Sequence, residues 1–285
     1  MPFSAINIFY IINLEDKMSN KFSVTEQEEI LLLKEAGIAS SSINNGLTSL
    51  RKANFVQKSH YYQVFFQLTI GIERLMKLII IHNFRIANNN KFPDNKILKN
   101  YGHNINDLFK IVSKYKPNDF KFKLDDPIYD QILNCLSNFA MSSRYYNLDT
   151  LTGRTDFINK DPLKVWNEIQ EEIKKRHYKE KEFKPEVKLM IEEINEISVY
   201  RYHDESDNLI NNAQTFYDKG KSIKVVQEYS VYYLYKIINY LVEILSYFEY
   251  ENNIYPYLRE FFPLYQGDWW SILEIRRKKD WTRLG

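Results

Sequence analysis

Residues Tyr61 to Phe84 read YYQVFFQLTIGIERLMKLIIIHNF, and this stretch decides the fold class. Val64, Phe65, Leu68, Ile72, Leu75, Met76, Ile79 and Ile80 recur at three- and four-residue spacings, which predicts a helix. The segment is apolar on nearly every side, so the helix belongs at the centre of a core. Its length would suit a membrane, but Glu73, Arg74 and Lys77 stand at its middle. Charges at that depth are expensive in lipid, which predicts a soluble core helix. Tyr229 to Phe248 repeats the character, interrupted by Lys236 and Glu243. Two such helices imply two core centres in an all-α protein.

The surrounding composition agrees. The 285-residue chain has only 8 Gly and 8 Pro, too few for a turn-rich sandwich or barrel. Its hydrophobic fraction of 44% is enough to bury a large core. The formal net charge is +2, so overall charge implies no polyanion partner, and any nucleic-acid site must come from local clustering. The single Cys135 excludes an internal disulfide and fits a reducing cytoplasm.

Helix boundaries are signalled locally. Ser23 with Glu26 and Thr25 with Glu28 are overlapping capping boxes. They predict a helix from Glu26 to Ala36, stopped at Gly37. A second helix is expected from Ser41 to Gln57. Asn104 caps a short helix ending before Pro117. Asp126-Pro127 and Asp161-Pro162 open two more, to about Ser142 and Lys181, because proline is tolerated at the first helical position. Lys184-Pro185 starts another, carrying Val187, Met190, Ile191, Ile194 and Ile197. A polar helix is expected from Asp204 to Asp218, ended by Gly220, before the long helix Ser222–Phe248. Asp268 should open a last helix with Trp269 and Trp270. The resulting division is an N-terminal arm over residues 1–24, a helical bundle over 25–155 and a helical extension over 156–285. The arm lacks a basic n-region and a cleavage site, so it is not read as a signal peptide. Met18 offers an alternative start.

Three motifs in the first half follow one another in a telling order. They are Ile72-Glu73-Arg74-Leu75-Met76-Lys77, then Tyr101-Gly102-His103-Asn104-Ile105-Asn106-Asp107-Leu108, then Ser143-Arg144-Tyr145-Tyr146-Asn147-Leu148-Asp149. From about Ser41 to Asp149 the chain thereby resembles the HEPN superfamily of helical domains. The resemblance implies a helical bundle that binds RNA or a nucleotide, works as a homodimer, and serves in a defence or toxin–antitoxin setting. Catalytic relatives are RNases that use an Arg followed four to six residues later by His. None of the five His residues here stands in that relation to an Arg, so the resemblance carries no RNase motif.

The residues able to carry chemistry are few. Glu73 and Lys77, spaced i, i+4, share a helix face. They form either a polar pocket with His103 or a purely structural pair. His103 lies at a helix entrance, as an acid–base or phosphate-binding group or as a local hydrogen-bonding residue. Arg144 and Tyr145 could bind a phosphate and stack a base, or Arg144 could pair with Asp149. Arg276, Arg277, Lys278 and Lys279 with Trp281 form a candidate nucleic-acid patch, or else complement a helix C-terminus. Arg201, His203, Asp204, Glu205 and Asp207 have metal-ligand chemistry but match no metal spacing, and read as a solvated loop. There is no glycine-rich phosphate loop, nucleophile elbow or zinc motif, so no metal and no cofactor is expected. The competing reading is a non-catalytic helical interaction protein.

Overall fold

A computed structural model describes residues 21–154, 161–199, 201–267 and 270–283. Among these, ten α-helices, three short 3-10 turns and one two-stranded sheet make up the regular structure, so the protein is all-α. None of the described helices is long and apolar enough to cross a membrane. The N-terminal arm up to residue 20 lies outside the described residues, as do Asp268 and Trp269.

The first helix, α1, runs without a break from Glu26 to Leu50. Thr25 caps it with Glu28 in a full capping box, as its spacing predicted. The expected stop at Gly37 is not there. A glycine inside a helix costs only about 1 kcal/mol relative to alanine. Tertiary packing outweighs that, since Gly37 lies beneath the Phe261 ring, within 3.5 Å of where a Cβ would stand.

Helix α2 spans Ser59–Ala87 and packs antiparallel to α1 as the most extensive helix pair. Their backbones meet closely at Gly71. A Cβ there would lie 2.9 Å from the Ala39 carbonyl oxygen and 2.7 Å from Ile43, so only glycine fits. The dry face of α2 carries Val64, Phe65, Leu68, Ile72, Leu75, Met76, Ile79 and Ile80, each at most 1% exposed. It is not apolar on every side. Phe66, Ile70, Glu73, Arg74 and Lys77 reach solvent in part.

Short α3 (Asn95–Asn100) and α4 (Ile105–Ser113) follow, then α5 (Pro127–Met141) and α6 (Tyr146–Leu151). The predicted caps Asn104 and Asp126 both accept the expected backbone hydrogen bonds. Helix α7 (Pro162–His177) is capped by Asp161 and buries Trp166, Ile169 and Ile173. Helix α8 (Pro185–Ile197) forms where expected, but of its apolar stripe only Ile191 is buried.

The predicted helix over Asp204–Asp218 is corrected to a hairpin followed by helix. Strands β1 (Tyr202–His203) and β2 (Leu209–Ile210) pair antiparallel, with Asp207 at φ 62° in the turn. The chain then enters α9, a 40-residue helix from Ala213 to Asn252 that runs straight through Gly220. The last described helix, α10 (Ile272–Arg277), is opened by Ser271 in a capping box with Glu274, while the expected opener Asp268 lies outside the described residues.

The two central helices were expected to centre separate cores. Instead α2 and α9 contribute to one contiguous apolar cluster that reaches from Phe22 to Trp281. The C-terminal segment is fastened to it. Asn239 of α9 donates to the carbonyl of Tyr265 at 2.7 Å, and Ser40 of α1 to that of Phe261 at 2.6 Å.

Candidate functional site

The middle of α2 forms one wall of an open cleft of about 1030 Å³, open solvent included. Gly71 brings the next turn of α2 beside α1, so that Arg74 ion-pairs with Glu35. One turn on, Lys77 Nζ donates to Glu73 Oε1 at 2.8 Å. The second wall is the entrance to α4. Gly102 turns the chain at φ +65°, and Asn104 is fastened to α5 by the Ser137 hydroxyl, which donates to Asn104 Oδ1 at 2.8 Å. These two constraints set His103 opposite α2, with Nδ1 2.8 Å from Glu73 Oε1.

A carboxylate can only accept, so Nδ1 carries the hydrogen in that contact. Nε2 is thereby the imidazole nitrogen left for other partners. Glu73 and Lys77 are mostly buried, whereas the His103 side chain is 70% exposed. The site thus has a fixed, shielded carboxylate holding an imidazole at the solvent boundary.

The third wall is the 3-10 turn Ser143–Tyr145 after α5. Arg144 lines the same cleft as His103, with its guanidinium 5.6 Å from the Phe66 ring centroid. Among the described residues no carboxylate pairs with it. Asp149, the partner considered above, is taken by Arg154 at 3.6 Å. The Nε of Arg144 is shielded and has no hydrogen-bond partner. Three permanent cations, Arg74, Lys77 and Arg144, thus line the cleft with two carboxylates, Glu35 and Glu73. The excess positive charge resides on Arg144.

Four of the five residues singled out from the sequence therefore share one cleft: Glu73, Lys77, His103 and Arg144. Tyr145 is 60% exposed and is not among its lining residues. Glu35 was missed, because an i, i+4 or motif signal cannot connect residues on two helices.

The basic C-terminal run is differently placed. Arg276 donates to Glu228 at 2.9 Å and stacks 4.1 Å over Tyr229. Trp281 is 1% exposed and lies against Tyr265 and Tyr235 inside the core. Lys278 spans the Trp270 and Trp281 rings, which leaves Arg277 and Lys279 as its exposed cations. The run does not offer an accessible Trp281 beside a free set of charges.

The segment around His203 is not a solvated loop throughout. Asp204 and Glu205 are 5% and 7% exposed, with Lys219 between them. Among the described residues no cluster of three or more His, Cys, Asp or Glu could hold a metal ion. Cys135 is buried in α5, and burial pushes its thiol up to about 12, so it is not a nucleophile.

No family model, no curated protein and no solved structure matches the chain.

Proposed function

We propose that this chain is a HEPN-like helical protein whose cleft between α2, α4 and the turn after α5 binds a phosphate group of RNA or of a nucleotide. One observation supports the reading most. Arg144, unpaired among the described residues, faces the same solvent-open cleft as His103. A guanidinium without a carboxylate partner is suited to a phosphate, which it can meet with two parallel hydrogen bonds. The imidazole, oriented by Glu73, adds a second donor or acceptor at the mouth. A homodimer and a defence or toxin–antitoxin setting follow from the resemblance of the three motifs, and a cytoplasmic location from the lone Cys135.

The test is binding of a fluorescently labelled RNA oligonucleotide, measured by anisotropy, with cleavage of the same RNA followed on gels. Arg144→Ala should weaken binding by about tenfold or more. Equal affinity of variant and wild type would remove Arg144 from the site.

A second reading, a non-catalytic interaction protein, is favoured by the bare apolar side chains beyond the cleft. Leu189 and Ile197 on α8 are 61% and 84% exposed. Scattered apolar exposure is normal, but two such residues on one short helix are suited to a protein partner.

A further inference from the structure

We propose that a second pocket, between the α1–α2 turn, α7, the β-hairpin and α9, binds a cationic nitrogen head group, an alkylammonium or a guanidinium. Its cavity is about 40 Å³, room for a small head group and not for a larger ligand. The inference is independent of the phosphate cleft and of the family resemblance.

Among the described residues the pocket holds one orphan acceptor, Gln170 Oε1, and one weakly partnered carboxylate, Glu205. Gln170 is 7% exposed and lines it. Its Nε2 donates to the Tyr61 hydroxyl at 2.8 Å, but its Oε1 is shielded and has no partner. Buried acceptors are normally satisfied, so an orphan of this kind marks a missing donor. Glu205, 7% exposed, is in a similar position. Among the described residues its one hydrogen bond comes from the Tyr61 hydroxyl at a long 3.4 Å. Burial, and then the charge of Glu205, hold the Tyr61 phenol well above its usual range, so it remains neutral and cannot balance the carboxylate.

The cations present are already engaged. Lys219 Nζ is 2.9 Å from Asp204 Oδ2 but 3.7 Å from Glu205 Oε2. Lys174 at the rim is paired with Glu171. Lys58 reaches only the main-chain oxygen of Asp204. Two buried carboxylates therefore share one ammonium, which lies nearer Asp204 than Glu205, and a buried charge that is only partly compensated is unfavourable. Phe55 forms an aromatic wall beside Lys219, 5.9 Å from its ammonium, which suits a second cation. An incoming N–H donor bearing positive charge would bridge Gln170 Oε1 and Glu205 and complete both.

The test uses the full chain, titrated with methylammonium chloride and with methylguanidinium chloride and followed by two-dimensional NMR. Sodium chloride at matched ionic strength is the control. The side-chain amide of Gln170 and the backbone amide of Glu205 should shift and saturate at millimolar cation. Which salt saturates at lower concentration tells ammonium from guanidinium. Glu205→Gln and Gln170→Leu should each raise the midpoint by about tenfold. Shifts identical to those with sodium chloride would overturn the proposal and leave ordered water as the only occupant. Saturable binding with an unchanged midpoint in both folded variants would equally overturn it.

Discussion

Two histidines in this molecule each stand beside a glutamate, and their surroundings make them different chemical objects. His103 Nδ1 lies 2.8 Å from Glu73, with the ring 70% exposed at the mouth of a cleft. His82 Nε2 lies 3.4 Å from Glu249, with both side chains fully shielded. In the dry pair the carboxylate is committed elsewhere. Glu249 accepts the backbone N–H of Leu258 at 2.7 Å and the guanidinium of Arg259 at 2.9 Å, tying the end of α9 to the segment beyond it. Neither ring nitrogen of His82 has a well-formed hydrogen bond. In the wet pair the carboxylate orients the imidazole and leaves Nε2 available. The residue types are the same, but the ring nitrogen, the distance and the carboxylate's other partners differ, and only the His103 imidazole is reached by water.

The largest effect should come from breaking the dry pair. Glu249→Ala strands the Arg259 charge and a buried N–H, and should cost about 3–5 kcal/mol of stability. Urea unfolding measures this, and a loss under 1 kcal/mol would show that the contact is not structural. Next in size is the loss of phosphate affinity in Arg144→Ala, about 1.5–3 kcal/mol, with the unfolding midpoint unchanged. A lowered midpoint would mean that Arg144 holds the fold rather than a ligand.

A third effect concerns pH. Burial is the main cause holding His82 below its usual value of 6.5. Between that lowered value and 6.5 the unfolded chain binds a proton that the folded one refuses. Stability should therefore fall as pH drops below 6.5, by up to about 1.4 kcal/mol per unit from this group. His177 is also lowered, chiefly by burial, and contributes with the same sign. His82→Gln should flatten the slope across this window, and an unchanged slope would assign the whole effect to other groups. The smallest change is expected in the wet pair. Glu73→Ala should cost no more than about 1 kcal/mol, because its partners can turn to water. A larger loss would make Glu73 as structural as Glu249.

Much of this contrast was invisible in the sequence, and the reason is physical. Glu73, Lys77 and His103 could be picked out, because an i, i+4 pair and a helix-entry histidine leave local traces. The dry pair could not, since Glu249 and His82 are far apart in sequence and neither lies in a motif. Caps were legible for the same reason of locality. Thr25, Asn104, Asp126 and Asp161 each satisfy a backbone N–H two or three residues away. Glycine was misleading. Gly37 and Gly220 read as stops, but both lie inside helices: Phe261 packs over Gly37, whereas Gly220 is an exposed glycine that the 40-residue helix runs through with no neighbour near it. The hairpin at Tyr202–Ile210 also escaped, because two-residue strands have no periodicity to detect.

The amino-acid order by itself determined the helical class and most helix starts, and marked Glu73, Lys77 and His103, all through patterns spanning a few residues. Only the tertiary structure decided which charges stay wet. It left Arg144 without a carboxylate among the described residues, committed Arg276 to Glu228 and sank Trp281 into the core. Burial and pairing depend on segments far apart along the chain, and no local pattern encodes which of them will meet.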